Sequence, residues 1–396
     1  MGIIDPNAGR HLRVSADKYS QDGVRYGSVQ DLAATSRATG DPKFGQTGES
    51  DFMFSKNWRW LRVVQAGVAF TLAALVVQSL PASAADKITV GALRFTSHAA
   101  SFVAFERGYF KKQGLDVELK FFQAAQPMAV AIASGDVDFG VTAISGALIN
   151  LAQKGAIKVI GGALQEEKGI DGQIILVSKK AYEQGITTPA KLRGRTFGIT
   201  QTGSSFHYMA HQIAAKEGFP GHEIKVKPLH KVGAIIGALK SGQIDGWSIV
   251  PHIAKALAKG GAVKKIGMVA DYIPDYQVTV VFTSARNAKE KRGLVKRFLA
   301  AFSMGANDFN AALVDKTAGE KAGEDMVKLI HKYVYASRPY KRAAPSIRNG
   351  AMRINQNARL NLASVKDQLA WFQTEGLVSK SVTIDMLVDS SFVKTR

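Results

Sequence analysis

The chain has 396 residues, a formal net charge of +20, 46% hydrophobic residues and no cysteine. That length accommodates two domains with cores of their own, and that hydrophobic content excludes disorder as the main state. Without cysteine there is no disulfide, thiolate metal site, cysteine nucleophile or cysteine-anchored lipoprotein.

Residues 1–52 are rich in Gly, Ser, Asp and Arg and carry no apolar period. They are expected to be a disordered extension, or translated upstream sequence with Met53 as the true initiator. The apolar run 63–80 follows Lys56, Arg59 and Arg62 and precedes Pro81-Ala82-Ser83-Ala84-Ala85. Residues 53–84 thus read as a secretory signal cleaved near Ala84. A retained anchor is the alternative, weakened by Gln65, Thr71 and Gln78. Residues 1–84 hold 9 Lys and Arg against 7 Asp and Glu, so the remainder keeps +18. Its basic residues are scattered rather than gathered in one tract, which favours a solvated basic surface over a nucleic-acid site.

From residue 87 strand and helix signals alternate as βαβαβα, with a helix start at Pro127 and stops at Gly114 and Gly135, so a parallel sheet with right-handed crossovers is expected. A shift of 107 residues then superposes Thr89 on Thr196, Gly91 on Gly198, Ser97 on Ser204, Gly135 on Gly242, Asp138 on Asp245 and Lys158 on Lys265 without a gap. Two copies of one supersecondary unit follow. Asp138 and Asp245, inside matching Ser-Gly-x-x-Asp turns, are expected to bond local backbone.

Two such lobes present strand C-termini and helix N-termini to a shared crevice. The first contributes Phe95, Thr96, Ser97, His98, Gln123, Ile144 and Ser145 as candidates. The second contributes Gln201, Thr202, Gly203, Ser204, Ser205, His207, Trp247 and Ser248. The stretch 195–208 reads as strand, tight turn and helix opening, whose free N–H groups and dipole suit a phosphate, sulfonate or carboxylate. His207 is either a hydrogen-bond donor to such an anion or a structural histidine. His98 has the same two readings, and Trp247 is either a crevice wall or core. His207 and His211, four apart, could share a helix face, but the sequence names no third zinc ligand.

The strand at 174–178 is expected to pair with its return partner at 277–282 as a two-strand hinge, opening and closing with the ligand. That assigns 85–178 and 281–396 to lobe one and 179–280 to lobe two. Beyond residue 288 helices are expected to bury Leu294, Phe298, Phe302, Ala306 and Phe309 and to pack beside lobe one, with 338–342 as an exposed loop.

The chain from Lys87 onward resembles the nitrate/sulfonate/taurine-type substrate-binding proteins of ABC importers, a group that includes binders of thiamine-pyrimidine precursors. The resemblance rests on Phe105-Glu106-Arg107-Gly108-Tyr109-Phe110, on Ile132-Ala133-Ser134-Gly135-Asp136-Val137-Asp138, on residues 186–198 and on Leu239-Lys240-Ser241-Gly242-Gln243-Ile244-Asp245 with Pro251. It implies an α/β, two-lobed periplasmic-binding-protein fold of type II, with a parallel-rich sheet flanked by helices in each lobe. It implies a periplasmic monomer that binds a small organic anion, sulfonate or carboxylate, without cofactor or metal. The closed form would be presented to a permease and its ATPase subunit. In the family the turns corresponding to 96–98 and 202–207 hold the ligand, while Ala124-Ala125 stands where glycine is frequent. Pyrimidine synthases of similar fold need a cysteine-rich iron segment, which this chain lacks.

Overall fold

The structure is a computed structural model that describes residues 84–396. The extension expected at 1–52 lies outside the described residues, as does the signal at 53–84 apart from Ala84.

The first run of elements is β1 (Asp86–Ala92), α1 (Ala99–Glu106), α2 (Tyr109–Lys112), β2 (Leu115–Phe121), α3 (Ala125–Ser134), β3 (Phe139–Ala143), α4 (Gly146–Gln153) and β4 (Ile157–Gln165). Helix α3 starts two residues before Pro127 and stops at Gly135, whose φ of 89° costs a glycine little. The second run is β5 (Ile174–Ser178), α5 (Lys179–Glu183), β6 (Thr196–Ile199), α6 (Ser205–Lys216), β7 (Lys225–Pro228), α7 (Val232–Ser241), β8 (Gly246–Ile249), α8 (Pro251–Lys259) and β9 (Val263–Met268).

With β10 (Gln277–Ser284), two five-stranded mixed sheets form, in the orders β2-β1-β3-β10-β4 and β7-β6-β8-β5-β9. The 107-residue repeat is therefore topological: β1, β2 and β3 map onto β6, β7 and β8 in the same parallel arrangement. The matching aspartates share one backbone bond, and Asp245 Oδ2 accepts in addition from Thr196 Oγ1 at 2.8 Å. Thr89 N donates to Asp138 Oδ2 and Thr196 N to Asp245 Oδ2, each at 2.9 Å, tying the start of one strand to the turn before its neighbour.

The strand pair expected as a hinge does not form. Ile174–Ser178 lies antiparallel between β8 and β9, and Gln277–Ser284 antiparallel between β3 and β4. Both strands are almost wholly buried, and a buried strand needs neighbours on both edges to satisfy its N–H and C=O groups. A lone ribbon of the two would leave an edge of each unpaired. The expected boundary after 178 thus falls at the end of β5, and that after 280 falls inside β10. The chain crosses between sheets at 166–173 and 269–276. These segments are joined by Glu166 N donating to Tyr276 O and Val269 N to Gln173 O, both at 2.9 Å.

The C-terminal helices are α9 (Ala285–Glu290), α10 (Arg292–Phe309), α11 (Gly319–His331), α12 (Tyr340–Arg348), α13 (Leu362–Thr374) and α14 (Ile384–Leu387). Helix α10 buries the expected face, with Phe298 stacked on Phe139 at 4.0 Å. Residues 340–342, expected as loop, open α12 because Tyr340 and Arg348 share the carboxylate of Glu324. These helices also reach the second sheet's helices: Tyr208 OH donates to Asp367, and Lys255 Nζ donates to Asn349 O at 2.8 Å. Among the described residues no helix is long and apolar enough to cross a membrane.

Candidate functional site

A cavity of about 60 Å³ lies between the two sheets, room for four to six waters at about 10–15 Å³ each. Its walls follow the repeat. Leu93 and Thr200, Ser97 and Ser204, His98 and Ser205, Ala125 and Val232, and Ala143 and Val250 are partners under the 107-residue shift, and both members of each pair line it. Each lobe thus contributes the same five positions, placed by strand ends and helix starts that the duplication makes equivalent. Leu164, Val278 and Thr279, beside the crossings, close the floor, and Phe95 and Phe206 add aromatic walls.

The polar atoms facing this space are mainly hydroxyls. Ser204 is the N-cap of α6, yet its side chain makes no capping bond, and its buried Oγ has no partner among the described residues. Thr279 Oγ1 is likewise unpaired. The first N–H groups of α6 point the same way by helix geometry, with the positive end of the dipole. His98 accepts from Leu93 N through Nδ1, at 3.4 Å, so its proton sits on Nε2. Burial lowers its pKa to about 3, so the ring stays neutral and donates without carrying charge. None of the described lining residues is Lys or Arg. An acceptor bound here is held by neutral donors and a helix end, not by a counter-charge.

The structure divides the predicted residues. Phe95, Ser97, His98, Ser204 and Ser205 come together on the cavity. Thr96 sits beside it, but Thr96 Oγ1 donates to Gly350 O at 3.1 Å and lies 2.9 Å from His252 Nδ1. Gln123 and Thr202 are exposed, and Gln201 lines a separate groove with Pro127 and His230. Ile144 is core beside Met128 and Leu148, and Ser145 caps α4 by accepting from Leu148 N. Gly203 supplies its carbonyl to Gly146 N at 2.9 Å, a bond between the two lobes. Trp247 and Ser248 are fully buried in β8 and do not reach the cavity; Phe206 lies between, with ring centroids 5.6 Å from Trp247.

His207 is not a donor to the cavity, because both ring nitrogens are engaged elsewhere. Gly203 N donates to His207 Nδ1 at 3.2 Å, and His207 Nε2 lies 3.1 Å from His211 Nε2. With His207 Nδ1 accepting, its Nε2–H must donate to His211, whose Nδ1–H then faces Glu375 Oε1 at 3.4 Å. Two neutral imidazoles in fixed tautomers thus link the Gly203 turn to the end of α13, with Trp371 set edge-on against both rings. Burial and then the neighbouring His211 lower the His207 pKa to about 4, and burial lowers that of His211. Among the described residues no group of three or more His, Cys, Asp or Glu could hold a metal.

Thr142, Val232, Val250, Val278 and Thr279 were not among the predicted site residues. The pairs Ser97/Ser204 and His98/Ser205 were predicted whole, while neither member of Ala125/Val232 or Ala143/Val250 was, so the 107-residue shift alone could not have found those two. Thr279 and Val278 were also out of its reach, because β10 lies outside the repeated unit.

Comparison with known proteins agrees with this architecture. The alkanesulfonate-binding protein SsuA from Xanthomonas axonopodis pv. citri superposes with a TM-score of 0.62 at 17% identity, over 78% of this chain and 100% of that one. The periplasmic nitrate-binding protein NrtA from Synechocystis PCC 6803 superposes with a TM-score of 0.60 at 13% identity, over 76% and 83%. At such identities the likeness is one of fold. A curated relative, a binding protein of Brucella abortus, is 24% identical over 213 residues, 53% of this chain and 62% of its own length. The chain therefore spans less than two thirds of that relative. The profile of the NMT1/THI5-like family matches residues 95–312, more than half of the chain, and the protein belongs to that family.

Proposed function

We propose that this protein is the ligand-capturing component of an ABC importer, working in the periplasm as a binder that returns its ligand unchanged to a permease and ATPase complex. The lobes are 85–165 with 277–396, and 174–268, and they close on a small organic anion, a sulfonate first and a carboxylate second. The observation that carries this reading is the cavity lined by repeat-related pairs from both lobes, with Ser204 Oγ unpaired at the start of α6. A sulfonate spreads its charge over three acceptor oxygens, which suits several weak neutral donors and a helix dipole. Bonds spanning the lobes, Gly146 N to Gly203 O and Thr96 to His252, belong to the closed clamp.

A second reading, capture of a thiamine-pyrimidine precursor, is favoured by the aromatic and aliphatic walls and by the lack of Lys and Arg among the described lining residues. A thermal-shift screen of the mature protein separates the two. A ligand at 100 times its Kd stabilises by about 2.7 kcal/mol. Sulfonates or carboxylates are expected to give the shift; a shift from neutral heterocycles alone overturns the anion reading.

A further inference from the structure

The second lobe, residues 174–268, carries 14 Lys and Arg against 4 Asp and Glu. All four acids are engaged within the fold: Glu183 faces Lys179, Glu223 pairs with Arg193, Glu217 accepts from Tyr272 OH, and Asp245 holds the Thr196 backbone. Of the cations, Lys179, Arg193 and Lys255 are ion-paired, and among the described residues the others are not. An excess that the fold does not neutralise raises a positive potential outside the surface.

Topology gathers much of this charge at one end of the lobe. The cavity lies where β6 and β8 finish and α6 and α7 begin. At the opposite end β6, β7 and β9 start, β5 finishes, and α6, α7 and α8 stop. There Lys225 N donates to Arg195 O at 2.8 Å, Lys179 N donates to Ala262 O at 3.0 Å, and Lys264 is the strand partner of Val177. A Cβ on Gly242 would meet the Lys180 side chain at 3.1 Å, so Lys180 lies against the end of α7 beside Lys240. Lys180, Lys216, Lys225, Lys240, Lys259 and Lys264 are exposed at this end. Five strands at about 4.8 Å cross only about 20 Å, so these ammonium groups act together over a Debye length of about 8 Å.

The duplication supplies a control. Helix ends favour cations through their dipole, yet the last turns of α3 and α4 hold no basic residue where those of α7 and α8 hold Lys240 and Lys259. Under the 107-residue shift Lys225 falls on Glu118, Lys240 on Ala133 and Lys259 on Ala152. Residues 86–165 hold 8 Lys and Arg against 6 Asp and Glu, while their counterparts 193–272 hold 11 against 4. The unit folds without the added charge, so folding does not account for it.

We infer that the end of the second lobe away from the cavity is a docking surface for an anionic phospholipid bilayer. The exposed cations named above are all lysines, compact point charges that suit mobile headgroups, whereas the planar fork of arginine suits a phosphate held in one place. Because the cavity lies at the other end of the lobe, docking leaves it uncovered, and the inference needs no particular cargo.

Cosedimentation of the mature protein with phosphatidylcholine vesicles, with and without about a third phosphatidylglycerol, tests this. Binding to the anionic vesicles alone is expected, and it is lost between about 0.1 M and 1 M salt as the Debye length falls from about 10 to about 3 Å. Each lysine near such a surface contributes roughly fivefold, so combining Lys180→Gln, Lys225→Glu and Lys240→Ala should weaken binding by roughly a hundredfold. Two of these changes install the residue that the first lobe carries at the same position, and the melting temperature of the variant is the folding control. Lys87→Gln, Lys112→Gln and Lys154→Gln together, in the first lobe, should leave vesicle binding unchanged. Equal binding to neutral vesicles, no binding to anionic ones, full affinity in the second-lobe variant, or an equal loss in the first-lobe variant overturns the inference. Duplex DNA of about 20 base pairs is the competitor; a protein that prefers the duplex to the anionic vesicle has a nucleic-acid surface instead, and the lipid assignment falls.

Discussion

The turn at 95–98 and the turn at 202–205 occupy the same position in two copies of one unit, and they have diverged in what their polar atoms do. In the first lobe Thr96 Oγ1 donates to Gly350 O, so the nearby His252 Nδ1 must carry a proton and donate to Thr96. His98 Nδ1 is occupied by Leu93 N, and Phe95 packs against the His252 ring with centroids 5.5 Å apart. That turn is committed to holding the C-terminal segment and the second lobe in place. In the second lobe Ser204 Oγ is unpaired and a helix of 12 residues stands behind it. Duplication made the positions equivalent; the neighbours packed against each copy bonded the side chains of the first turn and left a hydroxyl of the second without a partner among the described residues.

Filling the cavity from either side should have the largest effect. Ala125→Trp, and separately its repeat partner Val232→Trp, are expected to abolish the ligand-induced thermal shift of about 2.7 kcal/mol at 100 times Kd while the protein without ligand still unfolds cooperatively. A full shift in either variant would remove that wall from the site.

Acid should act next, through buried histidines of both lobes, His98 and His252 as well as the pair His207 and His211. His207 and His211 are faced by Gly203, Glu375, Trp371 and the nearby charge of His222. Their pKa values are lowered in the closed form, that of His207 to about 4, against about 6.5 when solvated. Above pH 6.5 both states hold neutral rings and nothing is lost. As pH falls from about 6.5 towards 4 the opened or unfolded state takes up protons first, and closure weakens. Affinity is expected to drop roughly tenfold or more between pH 7 and 5. Calorimetry across that range should find a flatter profile in His211→Gln; an equally steep one would clear the pair of this role.

The two serines give a direct measure of the divergence. Loss of the unpaired donor in Ser204→Ala should weaken binding by roughly tenfold, and Ser97→Ala by about threefold or less, on the scale of single hydrogen bonds. Equal losses would mean that both turns act as donors.

Smallest for binding should be the aspartates, with the larger loss of stability at Asp245, which accepts from the Thr196 hydroxyl as well. Asp138→Ala and Asp245→Ala each strand a backbone N–H that now donates at 2.9 Å, and each should lower stability by about 1–2 kcal/mol with affinity unchanged. Calorimetric unfolding of the two variants checks this; a loss in Asp138→Ala as large as that in Asp245→Ala would show that the Thr196 hydroxyl bond contributes nothing.

The repeat, the βα punctuation and the buried faces of the helices were legible in the chain itself, because glycine at positive φ, paired turn aspartates and apolar spacing act over a few residues. Asp138 and Asp245 bond backbone as their turns require, and α10 buries Leu294 to Phe309 on the expected period. Five of the candidate positions lie on the cavity because strand ends and helix starts are where such folds leave N–H groups free. Tertiary structure alone decided the rest. The side-chain pattern of β5 and β10 states that each is buried, but not between which strands, so their placement in different sheets waited on long-range pairing. The spacing of His207 and His211 states that they share a helix face, but only Glu375 and Trp371, arriving from far along the chain, turn them away from the ligand. Glu166 gives no local signal at all, because a carboxylate after an apolar strand ordinarily faces water. Its burial comes from the two crossings lying side by side, a contact between residues more than a hundred positions apart.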